Sequence, residues 1–325
     1  MRRLALLILL ALPLPLFGGT FTNPINPSAD PWVGYADGNY YLATTQGHSV
    51  KLWKAASLKD LATSTPTTVF EKGRGVWAPE FHQLNGPHGK KWYLYFTKQE
   101  TAKDESHRMW VMESTTNSIE GPYAAPVQIK TDPRDEFYAI DGTVWQHPNG
   151  KMYFLWAGHP GHRLFISEMK DPWTLKGKRQ LIEASGFGCP EVREGPFMIN
   201  RGDKWFLTYS ACDTGKPDYK VGALWIDDRR DPMNPRAWKQ IEKPILERSD
   251  ENGVYGPGHH SYFKSPDGKE DWIAYHAKEV AEYTYENRST RVQKIEWDKN
   301  GMPVPVVPLP LSAEIPLPSG DAGKE

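Results

Sequence analysis

Acidic side chains recur in this 325-residue chain at a fixed offset from a repeated turn. Asp30, Glu80, Asp141, Glu194 and His260 each lie eight or nine positions before a glycine that ends a short apolar stretch. Carboxylates at the foot of apolar strands are costly to ionise, because burial disfavours the charged form. A chemical use for several of them together is acid–base work on one bond. A protonated carboxyl donates to a leaving oxygen, an ionised one activates water, and a third keeps the first protonated by repulsion. Hydrolysis of a glycosidic bond needs such a set. Trp32, Trp77 and Trp145 stand beside these positions and could offer faces to a sugar ring.

The elements that must gather these residues come from an internal repeat. Five segments read "WVGYADGNYYLATT", "FHQLNGPHGKKWYLYFTK", "VWQHPNGKMYFLWAG", "FMINRGDKWFLTYSA" and "YFKSPDGKEDWIAYHA". Each is a hairpin signal, with β-formers on both sides of a turn that tolerates positive φ. The turn glycines are Gly38, Gly89, Gly150, Gly202 and Gly268. Intervals of 51 to 66 residues suit one four-stranded antiparallel sheet per repeat. The expectation is an all-β, five-bladed β-propeller over residues 20–312 whose inner strands bring the acids to one funnel. No sustained 3.6-residue apolar period supports a helical solenoid.

Composition agrees. Glycine and proline number 28 each and aromatics make 12 %, which favours short strands and turns. With 39 basic and 40 acidic residues, no polyanionic partner such as nucleic acid is indicated. The start, "MRRLALLILLALPLPLFGG", has a basic end, a short apolar run and small residues. It reads as a signal peptide over residues 1–19, implying a secreted or periplasmic protein with no membrane attachment after cleavage. Residues 313–325 read as a polar, proline-rich tail. Cys189 and Cys212 could form one disulfide or stay free. Neither CxxC nor HExxH spacing occurs, so no metal motif is present.

Five motifs, "NPINPSADPWV", "VWAPEFH", "IDGTVW", "REGPFMI" and "GPGHHSYF", stand in the order found in family 43 glycoside hydrolases, and the chain resembles that family over nearly its whole mature length. The resemblance implies Asp30 as general base, Asp141 as the residue that tunes and orients the acid, and Glu194 as general acid. It also implies inversion at the anomeric carbon, with base and acid ~6.5–9.5 Å apart. Trp77, Glu80, His260 and Arg291 become candidate sugar contacts, Arg291 from "RSTRVQKIEWDKNGMP". His260 would hold calcium or a water network near the axis, with no cofactor required for catalysis.

"GHSVKLWKAASL" and "ACDTGKPDYKVGAL" look most like the family's exo-acting α-L-arabinofuranosidases, acting on arabinose-containing plant polysaccharides or oligosaccharides. A β-xylosidase or an endo-α-1,5-L-arabinanase of the same fold is the alternative within enzymes. A non-catalytic carbohydrate-binding propeller is the alternative outside them. Glu191 and the run "DDRRD" read as solvated loop residues.

Overall fold

The computed structural model describes residues 19–323; the signal-peptide expectation falls on residues 1–18, which lie outside them. Five antiparallel sheets follow one another along the chain as propeller blades. Blade one comprises Trp32–Ala36, Asn39–Ala43, Val50–Ala55 and Thr67–Phe70. Blade two comprises Trp77–Gly86, Gly89–Gln99, His107–Glu113 and Val127–Ile129. Blade three comprises Ala139–Gln146, Met152–Gly158, Arg163–Asp171 and Thr174–Ile182. Blade four comprises Arg193–Arg201, Lys204–Ala211, Lys220–Asp227 and the short Lys239–Gln240.

Blade five has three strands of its own, Tyr255–Lys264, Asp271–Lys278 and Ser289–Ile295. Its outer edge is met by the start of the described chain. Asn26 bridges Thr290, and the Asn23 side chain exchanges two hydrogen bonds with the Val292 backbone, 2.9 and 3.0 Å. An amide side chain thus imitates a strand partner, and the edge backbone is satisfied. The segment read as a tail also packs down. Ile315–Pro316 pairs with Thr20–Phe21, and Ile315 and Leu317 are buried against blade one.

The repeat is legible in the turns. Gly38, Gly89, Gly150, Gly202 and Gly268 all have positive φ, while a side chain at any of them would meet open space. Backbone conformation, not crowding, therefore selects glycine there. Between blades, apolar faces close into separate clusters. One joins Trp145, Leu155, Leu207 and Trp238 of blades three and four; another joins Phe206, Ala223, Ile273 and Tyr275 of blades four and five.

At the axis, positive-φ residues mark the inner strands: Asp30 just ahead of blade one, then Ala78, Asp141, Gly195 and His259, with Gly256 a second in blade five. In blades two to five a register shift accompanies them. There the backbone N–H points to the blade before. Ala78 donates to Thr45 Oγ1 (2.9 Å), Asp141 to Thr97 Oγ1 (3.1 Å), Gly195 to Asp141 Oδ2 (3.1 Å) and His259 to Ser210 Oγ (2.8 Å). Blade one closes onto blade five through the Asp30 carboxylate, whose Oδ1 is 3.0 Å from His276 Nδ1. Such bulges free backbone groups and re-aim side chains. These contacts lock neighbouring blades together at the point where the acids emerge.

Candidate active site

Asp30, Asp141 and Glu194 line one cavity of about 520 Å³, whose wall takes residues from all five blades. A broader surface depression of about 670 Å³ between blades two and three holds Glu168 as its one carboxylate. Convergence is a product of the bulges, because Asp30 and Asp141 are themselves the positive-φ residues and Glu194 directly precedes a third.

Asp30 is surrounded by donors. Thr45 Oγ1 donates to its Oδ2 at 2.7 Å, while His276 Nδ1 is 3.0 Å, Arg288 Nη1 3.4 Å and His259 Nδ1 3.5 Å from Oδ1. Burial alone would raise its pKa, but His259, Arg288 and His276 outweigh burial and hold the carboxyl well below the usual range. Asp141 moves the other way, up to about 7. Burial is the main cause, and the charges of Glu194 and Asp30 add to it against His259 and the Gly195 N–H.

Glu194 accepts a hydrogen bond from Tyr219 OH (2.7 Å) and faces His162 Nε2 at 3.1 Å. Burial would raise Glu194, yet His162, His259 and Tyr219 together bring it below its ordinary value. His162 rises in response: its burial acts downward, and Glu194, Asp141 and Asp213 more than offset that. The expectation that Asp141 lifts the pKa of Glu194 is therefore corrected. The raised carboxyl is Asp141 itself, while the His162 ring beside Glu194 helps to lower that carboxyl.

Other expectations need correction too. Glu80 is not among the residues lining the cavity and meets His82 Nε2 at 2.7 Å. His260 is buried beside Thr208 Oγ1 (2.7 Å), and burial pushes it down to about 3, so it is neutral. Its neighbour His259 faces the acids instead, because adjacent strand residues point to opposite sides. Among the described residues no group of three His, Cys, Asp or Glu side chains is arranged to hold a metal.

Arg291 is fully buried between blades and faces Glu279 at 3.6 Å; Arg288, three residues earlier, is the arginine in the cavity. Trp77 does line the cavity, with its ring over His107 (centroids 3.8 Å apart). Trp32 packs on Phe81 and Trp145 is core, so neither offers a face to this site. Cys189 and Cys212 are joined as a disulfide, tying the approach to Glu194 to the end of the adjacent strand.

His162, Tyr219, His276 and Arg288 were not found from sequence. His259 had a signal. It lies nine positions before Gly268, the same offset as Asp141 from Gly150, so the offset frame fits either histidine of the pair.

Acid–base chemistry in this cavity should depend on pH in a particular direction. Asp30 stays ionised well into the acidic range, whereas the Asp141 proton leaves at about pH 7 and His162 keeps its proton to higher pH than a free imidazole. The kcat/KM profile is expected to stay level from about pH 4 to about pH 6 and to fall above about pH 7. An initial-rate series across that range checks this; a rate still climbing at about pH 9 would contradict the assignment of the protons.

The chain matches the family described as "Glycosyl hydrolases family 43" over residues 21–303. It is 35 % identical to a protein of Streptomyces avermitilis named "Extracellular exo-alpha-(1->5)-L-arabinofuranosidase", over 87 % of this chain and 63 % of that protein. The chain thus spans somewhat under two thirds of that relative's length. A protein of the same name from Streptomyces chartreusis is 30 % identical over 81 % of this chain and 84 % of its own. Among solved structures, the "Crystal structure of alpha-L-arabinofuranosidase from Lactobacillus brevis" superposes with a TM-score of 0.82. It is 29 % identical and covers 90 % of this chain and 98 % of the other.

Proposed function

The chain belongs to family 43 of the glycosyl hydrolases, and from that premise we propose that it is an inverting, exo-acting α-L-arabinofuranosidase. The observation that carries this reading is the meeting of Asp30, Asp141 and Glu194 in one cavity walled by every blade. A recess walled by residues of every blade accepts a chain end more readily than the middle of a polymer, which favours removal of terminal units. The names of the two Streptomyces relatives support α-(1→5)-linked arabinofuranosyl chains as the substrate class. Their names also support an exported protein, in keeping with the basic and apolar start of the sequence. No helix among the described residues is long and apolar enough to cross a membrane.

In this reading Asp30 takes a proton from water as the water oxygen attacks the anomeric carbon. Thr45, His276 and Arg288 hold the carboxylate ionised and aimed. The bond to the leaving oxygen breaks on the opposite side, and Glu194 supplies the proton that oxygen needs. His162 Nε2 lies 3.1 Å from Glu194 Oε2, close enough for its charge to act on the acid. Asp141 fixes the distance by accepting the Gly195 N–H, so the residue next to the acid cannot drift. Tyr219 restrains the other oxygen of Glu194.

Digestion of linear α-1,5-arabinan tests the reading. Arabinose alone is expected from the first time points, appearing first as the β-anomer by NMR. Mixed oligomers at early times would mean endo action. Release of xylose from xylo-oligosaccharides in place of arabinose would mean a xylosidase. Calorimetric binding without turnover would mean a sugar-binding propeller.

A further inference from the structure

At the mouth of the cavity, the sequence "EYTYENR" presents Tyr283 and Tyr285, which are 58 % and 50 % exposed. They are the only large aromatic side chains so exposed among the described residues. Tyr285 lines the cavity itself, and its hydroxyl donates to Asp213 Oδ2 at 3.1 Å. The two hydroxyls meet at 2.7 Å, and the rings stand 5.5 Å apart at a steep angle.

The loop that carries them is held unusually firmly for an exposed segment. Lys278 is fully buried and donates to three carbonyl oxygens, Gly215 (2.6 Å), Thr284 (3.1 Å) and Glu282 (3.2 Å). Thr284 N donates to Gly215 O at 2.9 Å, and the Tyr283 ring lies so close to Gly215 that a Cβ there would come within 3.0 Å of it. Arg288 Nε holds Tyr285 O at 2.9 Å. Burying an ammonium group is costly unless its hydrogens are all matched, as they are here. The result is a rigid pair of aromatic rings facing water, fastened to the loop that brings Asp213 and Thr214 to the cavity.

We infer that Tyr283 and Tyr285 form a leaving-group subsite, a platform for the sugar residues that remain outside when a chain end enters the cavity. This rests on the exo-acting reading. If the terminal sugar occupies the recess, everything beyond the scissile bond must pass through the mouth. Neutral sugars offer C–H faces that pack on aromatic rings, and the ring-edge hydroxyls of both tyrosines can meet sugar hydroxyls. Rings already fixed in place lose little freedom on binding, so the contact is retained as affinity.

The test compares two substrates, α-1,5-arabinotriose and methyl α-L-arabinofuranoside, whose methyl group is too small to reach the platform. For Tyr283→Ala, the ratio of kcat/KM on the triose to that on the methyl glycoside should fall about tenfold, chiefly through KM on the triose. Tyr283→Phe keeps the ring and should keep most of the ratio. A ratio within about twofold of wild type for Tyr283→Ala would overturn the platform, as would an equal loss in Tyr283→Phe. Wild-type protein that cleaves neither substrate would end the arabinofuranosidase reading, and the subsite with it.

Discussion

Glu194→Ala is expected to lower kcat/KM on arabinan about 10³-fold, because general acid assistance of this kind contributes ~10²–10⁴ in rate. The loss should depend on the leaving group. A p-nitrophenolate departs without a proton, so an aryl arabinofuranoside should lose only about tenfold, whereas a sugar alkoxide cannot leave unprotonated. Part of any wider damage would come from the neighbours. Alanine leaves the buried Tyr219 hydroxyl without its acceptor and the His162 ring without its charged neighbour. Glu194→Gln separates the two effects: it preserves the shape and an acceptor oxygen but cannot carry the proton. Rates on both substrates for both variants decide the matter. Equal losses on arabinan and the aryl glycoside would mean that Glu194 does not protonate the leaving group.

Asp30→Asn should show a different signature. The amide retains the volume and can still accept from Thr45, yet it cannot take a proton from water. Water must be activated whatever the leaving group is, so kcat should fall about 10³-fold on arabinan and aryl glycoside alike, with KM nearly unchanged. The substitution also leaves Arg288, His259 and His276 around a neutral side chain. A modest drop in melting temperature is expected from that, since removing one member of a buried charged cluster leaves the others uncompensated. Retention of more than about a tenth of wild-type kcat on both substrates would remove Asp30 from the role of base. Together the two variants distinguish acid from base by leaving-group dependence alone.

The contrast between these residues and Glu80 shows how far counting along the chain reaches. Offsets of eight or nine from the turn glycine placed Asp30, Asp141 and Glu194 correctly at the cavity. The same offset selected Glu80 and His260, which it does not contain. In a strand, a shift of one residue reverses the face, so an uncertainty of one position is an uncertainty about everything the side chain touches. The bulge at the inner strand of each of blades two to five inserts that one-residue shift. Arg288 and Arg291 differ by an odd number for the same reason. One reaches Asp30, and the other is enclosed between blades.

Charge distribution lay further from reach. A raised pKa was expected for Glu194 on the grounds that like charges repel, and like charges are indeed gathered here. What decided the direction of each shift was the company each carboxyl keeps. His162 and Tyr219 come to Glu194 from blade three's second hairpin and blade four's third strand region, and nothing in their spacing marks them.

The sequence by itself determined the number of modules, the positions of their turns and the identity of the three convergent acids. Those properties are local: a glycine's φ, an alternating strand and a repeat length are written in neighbouring residues. Only the tertiary structure decided which side each inner-strand residue faces, which histidines and arginine surround Asp30, and which carboxyl holds a proton. Those depend on contacts between residues up to 258 positions apart, such as Arg288 with Asp30, and a contact energy between distant segments leaves no mark on either segment alone.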